Sequence, residues 1–271
     1  MVFPFFLEVE RRRLLCVLRG ANGVGDARHA VLLVPPIGEE LNQTRHFYAL
    51  IARALESVGI ASLSVDLSST GDSSGDFRDA RVAHWVSDLE ASHTWLRERF
   101  STVSLMAVRS GALLVGLLSN VPAAKVECCS LVDPVLTGCE ALNTMLQTRV
   151  IRSLFSRERE SLVSLRGKLF QERYLEIAGY ELSSALHDEL ILLEFDPISA
   201  ASHFPLSVYA RSERADEDLV VSGKRGPGED LKWIRVESLP IWTSEKAFVD
   251  NSLVDSVVGV FDGRARAHAQ R

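Results

Sequence analysis

The run Ser104–Leu114, SLMAVRSGALL, reads as a short apolar strand, a sharp turn and the start of an apolar helix. This is the layout of a nucleophile elbow. The central residue is held in a strained backbone conformation above the strand ends. The residues two places before and after it must be small, because the strand and helix backbones converge there. Ala107 and Gly111 meet that condition around Arg109. Centring the turn on Ser110 would put β-branched Val108 at the minus-two place, so the spacing favours Arg109 at the tip. A guanidinium stays protonated and cannot attack a carbonyl. Two chemistries remain open. Ser110 could act as a displaced nucleophile with a borrowed histidine, His46 first and His84 second. Alternatively, Arg109 beside a helix N-terminus makes an anion site. If buried, it needs a counter-charge. Glu39 and Glu40 on the preceding loop are the obvious partners, with Asp72 or Asp76 on the next loop also within reach. Otherwise Arg109 points to solvent.

The elements that would position these residues can be read from periodicity. Phe5–Val9 and Leu14–Leu18 look like antiparallel strands, followed by the buried-strand signature Val31–Val34, which Pro35-Pro36 closes. Phe47, Leu50, Ile51, Ala54, Leu55 and Val58 recur at helical spacing and stop at Gly59. Strand Ala61–Leu67, helix Ala80–Phe100, strand Thr102–Val108, helix Gly111–Leu118 and strand Val126–Val132 follow. Such alternation implies a mostly parallel sheet with helices on both faces. From Thr137 to about Leu193 the pattern turns mostly helical and charged, as expected of a cap inserted over the strand ends. The predicted domains are thus a core, 1–136 and 194–271, split by a helical cap, 137–193. Leu206–Ala210 and Trp233–Glu237 read as further strands, with a charged stretch holding a small helix and a loop between them. Glu245–Phe261 reads as the last helix, and Asp262–Arg271 as a frayed tail.

The 271 residues carry a net charge of −6 and are 46% hydrophobic. That balance argues against nucleic acid or an anionic membrane as the main partner. The start, MVFPFFLEVERRR, is apolar for too short a run to be a signal peptide or a membrane span. Cys16, Cys128, Cys129 and Cys139 form no C-x-x-C pair, and Cys128-Cys129 sits in an apolar run. Buried free thiols and a reducing, cytoplasmic location are expected. The loop SSTGDSSGDF lacks the endings of phosphate-binding loops, and two carboxylates, Asp72 and Asp76, do not make a cation site. No cofactor and no metal are expected.

The chain resembles the α/β-hydrolase superfamily over nearly its whole length. More narrowly, it is similar to the second type of exosortase-A-system-associated hydrolase. The residues carrying the resemblance are VPPIGEELNQTR (Val34–Arg45), VDLSSTGDSSGDF (Val65–Phe77), LVDPVLTG (Leu131–Gly138), EIAGYELSSAL (Glu176–Leu186) and LPIWTSEK (Leu239–Lys246). The resemblance implies an α/β-hydrolase fold and a protein of an exopolysaccharide and PEP-CTERM sorting locus, acting on an ester, thioester or related acyl bond. It puts the nucleophile position at Arg109. The oxyanion amides would be those of Ser110 and of Ile37 or Gly38, since Pro36 has no N–H to donate. The general-base histidine belongs near Leu239–Glu245, where there is none; His268 in the tail is the only histidine beyond. The acid belongs after Leu206–Ala210, at Glu213, Asp216 or Asp218, and has no histidine to orient. Two function classes therefore stand. One is a hydrolase working through Ser110. The other is a non-catalytic relative that binds a small anionic or acyl ligand, or a partner protein, in a pocket between the cap and the strand ends.

Overall fold

A computed structural model describes residues 1–20, 28–119, 125–155, 159–211, 230–236 and 251–269. Two antiparallel strands, β1 (Val2–Val9) and β2 (Arg12–Arg19), open the chain. Then come β3 (His29–Val34), α1 (Glu39–Ser57), β4 (Ala61–Val65), α2 (Val82–Arg97), β5 (Thr102–Val108), α3 (Gly111–Ser119) and β6 (Cys129–Val132). After an insertion the sheet resumes with β9 (Leu206–Arg211) and β10 (Leu231–Val236), and α8 (Asn251–Ala269) ends the described chain. The eight strands lie in the order β1-β2-β4-β3-β5-β6-β9-β10, parallel from β4 to β10.

Helices cover both faces, because the central strands are apolar on both sides. On β3, Ala30, Leu32 and Val34 join the core with α2 and α3, while Val31 and Leu33 join the core with α1 and α8. β3 and β5 run in register to their ends, with Val34 opposite Ala107. That alignment sets the loop after β3 beside the turn after β5.

The insertion is mostly helical, as the pattern predicts, with one addition. It holds α4 (Gly138–Ser153), α5 (Leu162–Glu172) and α6 (Ser184–Leu190), but also a two-stranded hairpin, β7 (Tyr174–Ile177) with β8 (Tyr180–Ser183). The hairpin turns on Ala178 and Gly179, both with positive φ, 53° and 90°. Leu175, Ile177 and Leu182 are buried. A short helix, α7 (Pro197–Ala201), leads into β9. Three expectations are corrected. α1 begins at Glu39, capped by Gly38, so His46 lies inside the helix rather than at its start. β6 is shorter than Val126–Val132. The tail is helical to Ala269 rather than frayed from Asp262, with Arg266 paired to Asp262 one turn away. The charged stretch before β10, with Glu213, Asp216 and Asp218, lies outside the described residues, as does Leu239–Glu245. Among the described residues no helix is long and apolar enough to cross a membrane.

Candidate functional site

Arg109 follows β5 directly with φ 53°, a left-handed backbone that a long side chain adopts only under constraint. The constraint comes from both sides. Its N–H donates to Val132 O and its carbonyl accepts from Ala112 N and Val135 N. A Cβ on Gly111 would stand 3.0 Å from Val34 O and 3.1 Å from Pro35 O. This is the close approach of strand and helix backbones that the spacing of Ala107 and Gly111 predicts.

The guanidinium is buried and doubly paired. Nε donates to Glu40 Oε1 at 3.0 Å and Nη1 to Asp133 Oδ2 at 3.2 Å. Glu40 reaches it from the first turn of α1, and Asp133 from the end of β6. The other oxygen of Glu40, Oε2, accepts from Ser110 Oγ at 2.5 Å and from Ser110 N at 3.2 Å. Ser110 Oγ in turn accepts from Ile37 N at 2.9 Å. One carboxylate thus sits at the N-terminus of α3 and in the first turn of α1, where both helix dipoles favour negative charge. Of the amides that the resemblance offers to an oxyanion, those of Ser110 and of Ile37 or Gly38, Ser110 N is engaged by Glu40 and Ile37 N by Ser110 Oγ.

The cluster is closed to solvent: Arg109 and Glu40 are each 7% exposed, Asp133 2% and Ser110 1%. Above it, Met145 of α4 lies against the loop before α1. A Cβ on Gly38 would meet its Cε at 3.0 Å. Ala141, Leu142, Met145 and Leu146 share one core cluster with Ile37. Behind the elbow, Tyr48 of α1 ties the two strand ends together. Its hydroxyl donates to Val34 O at 2.6 Å and accepts from Val108 N at 3.0 Å, and burial raises its pKa and keeps it protonated.

Of the residues singled out from sequence, Arg109, Ser110, Glu40 and Ile37 come together, and Gly38 caps the helix that carries Glu40. Glu39 is turned away and accepts from Asn42 Nδ2. Asp72 is exposed on its loop, where its N–H donates to Asp66 Oδ2 at 3.0 Å. Asp76 is exposed as well. His46 does not serve Ser110. Six residues on from Glu40, at about 100° per residue, it points roughly 120° away from that carboxylate, and it is exposed. His84 is exposed on α2. His29, His93 and His187 are buried packing residues and His203 is exposed. Asp133, the second acid on Arg109, is not among the candidate site residues singled out from sequence. Its signal was an acid immediately after the strand next to the elbow strand. Among the described residues no group of three His, Cys, Asp or Glu side chains could hold a metal ion.

No protein-family model and no curated protein sequence matches the chain. Solved structures do. Est1E from Butyrivibrio proteoclasticus, with ferulic acid bound, aligns over 98% of this chain and 100% of its own at 12% identity, with a TM-score of 0.64. Proline iminopeptidase from Mycobacterium smegmatis aligns over 98% and 100% at 11% identity, with a TM-score of 0.61. Alpha/beta hydrolase domain-containing protein 10 from mouse aligns over 96% and 97% at 11% identity, with a TM-score of 0.57. At such low identity the likeness speaks to architecture alone, and the architecture is that of the α/β-hydrolase fold.

Proposed function

We propose that this protein is a non-catalytic relative of the α/β-hydrolases, of the exosortase-associated kind its sequence resembles. It binds a small anionic or acyl ligand, or a partner protein, in the cytoplasm, and residues 137–193 form its cap. The observation carrying this reading is the filled oxyanion position. The Glu40 carboxylate engages Ser110 N and Ser110 Oγ, and Arg109 holds it there. A substrate carbonyl polarised at this place would have to displace a buried, ion-paired carboxylate. Among the described residues, the hydrogen-bond partners of Ser110 are Glu40 and Ile37, neither of them a histidine.

A second reading rests on the same contact. Ser110 Oγ already donates to a carboxylate, so Glu40 could serve as base for an esterase or thioesterase working through Ser110. Against it stand the burial of Ser110 and the engagement of Ser110 N and Ile37 N by Glu40 and Ser110 Oγ.

Fluorophosphonate labelling followed by intact mass separates the two. The expected result is no adduct on folded wild-type protein under conditions that fully label a control serine esterase. A stoichiometric adduct that disappears in Ser110→Ala would overturn the non-catalytic reading.

A further inference from the structure

A cavity of about 240 Å³ lies between α1 and the sheet, with Pro35 and Tyr48 at its border with the elbow. Its floor is Ser62 and Ser64 of β4 beside Val17 of β2, and its roof is Tyr48, Ala49 and Ala52 of α1. Strand β4 reads Ala-Ser-Leu-Ser-Val. Ala61, Leu63 and Val65 enter the core on one face, so Ser62 and Ser64 face α1. On that face the neighbouring strand presents Val31 and Leu33, opposite Ser62 and Ser64 in the register. Two serines therefore replace the valines or leucines that would close the core, and small alanines face them from the helix.

Ser62 is only 1% exposed and Ser64 is partly buried, and both line the cavity, so their hydroxyls can meet a bound molecule there. The ends of the cavity are charged. At the Ser62 end stands Arg19, already held by Glu56 at 3.0 Å. At the other end stands Arg45, 49% exposed, whose Nη2 is 3.7 Å from Asp66 Oδ1 and whose Nε is 3.5 Å from Asn42 Oδ1. Both contacts are long for hydrogen bonds. Asp66, the acid at that end, already accepts from Asp72 N through its other oxygen. Arg45 thus keeps donors for an incoming anion.

We propose that this cavity is a binding site for a small hydroxycarboxylic acid. The carboxylate sits on Arg45, the hydroxyl on Ser64 and Ser62, and the aliphatic part against Val17 and Ala52. At about 30 Å³ per water the volume equals roughly eight waters, so the ligand is short, on the order of ten non-hydrogen atoms. Neither Arg109 nor Ser110 lines the site, so the proposal stands whether or not Ser110 is catalytic.

Calorimetric titration of the full chain with 3-hydroxyhexanoate, and with hexan-1-ol as the uncharged control, tests it. The expected result is saturable binding of one equivalent of the acid and none of the alcohol. Affinity should fall about tenfold or more in both Arg45→Gln and Ser64→Ala. These substitutions lie at partly exposed positions, and circular dichroism checks that each variant is folded. Absence of saturable binding by wild type would mean a cavity filled by water only and would overturn the proposal. So would affinity unchanged in either variant, or equal binding of the alcohol.

Discussion

Glu40 Oε1 accepts from Arg109 Nε at 3.0 Å while its Oε2 accepts from Ser110 Oγ at 2.5 Å. One buried carboxylate therefore neutralises the residue at the elbow tip and occupies the donors of the residue after it. The arrangement is stable only as a unit. Removing Arg109 strands two buried carboxylates, Glu40 and Asp133, a change that typically costs about 3–5 kcal/mol. Glu40→Gln leaves Arg109 paired with Asp133, so Arg109→Met is expected to cost clearly more than Glu40→Gln, and the double variant is expected to lose clearly less than the sum. Urea unfolding of the four proteins measures the coupling. Losses that add within about 0.5 kcal/mol would show that the two side chains do not act together.

Restoring a serine at the tip should not restore chemistry. Arg109→Ser places a hydroxyl at the elbow tip, but Glu40 still holds Ser110 N and Ser110 Oγ, and the candidate bases His46 and His84 are exposed, away from the buried cluster. Hydrolysis of p-nitrophenyl acetate by this variant is expected to match buffer containing bovine serum albumin. The variant should also be less stable than wild type, because Glu40 and Asp133 lose their shared cation. Turnover well above that background, abolished by active-site titration with a fluorophosphonate, would contradict the reading.

Two helical glycines are expected to respond in opposite senses to the same substitution. At Gly111 a Cβ would press on Val34 O and Pro35 O at 3.0 and 3.1 Å, whereas at Gly167 in α5 it would meet nothing within 4 Å. Gly111→Ala should destabilise by about 1–3 kcal/mol through overpacking. Gly167→Ala should stabilise by roughly 0.5–1 kcal/mol through helix propensity. Thermal melts of the two variants beside wild type decide it, and a neutral Gly111→Ala would remove the packing account of the elbow.

The contrast shows what the sequence could and could not reveal. The elbow was legible because its constraint is local: small residues at fixed offsets from the tip are a backbone requirement, readable in SLMAVRSGALL without knowing the rest. The mostly parallel sheet with helices on both faces followed from alternating elements for the same reason, whereas its strand order did not. Asp133 and the choice of Glu40 over Glu39 were not legible, because they depend on which face of α1 meets β5 and on the adjacency of β5 and β6. The hairpin Tyr174–Ser183 was missed because four-residue strands carry too little periodicity to stand out among helices. His46 was misplaced because the first turn of α1 is acidic and polar, so the apolar pattern begins late and hides the true helix start.

The four cysteines are expected to differ sharply in reactivity. Cys16, Cys128 and Cys129 are buried, and Cys139 is exposed. Burial first, and then nearby Asp66 and Asp88, push the Cys16 thiol up to about 12; burial pushes Cys128 up to about 11. A thiolate is the reactive form, so only Cys139 should react quickly with Ellman's reagent on native protein. The others should react only as fast as the protein opens. Substituting Cys139→Ser should remove the whole fast phase. A fast phase that persists would show that one of the other thiols is accessible.

The insertion carries its own acid-sensitive contact. Glu160, with a side chain only 10% exposed, takes Arg149 Nε on Oε2 at 2.8 Å, while its Oε1 accepts from Arg149 Nη2 at 2.9 Å and from Lys168 Nζ at 2.8 Å. The Arg149 hydrogen bonds, aided by Lys168, pull its pKa from 4.5 down to about 2. Because the folded value lies below the unfolded one, the unfolded chain binds the proton first as pH falls. The stabilisation is therefore complete above about pH 4.5 and is lost as pH drops through about 2. At neutral pH, Glu160→Gln is expected to cost on the order of 2 kcal/mol, and the gap from wild type should shrink by roughly half by pH 3. Urea midpoints of both proteins across that range measure it. Salt should narrow the gap only modestly, since a largely buried pair is weakly screened. A gap that stays constant from neutral pH to pH 3 would mean that Glu160 acts through packing rather than charge.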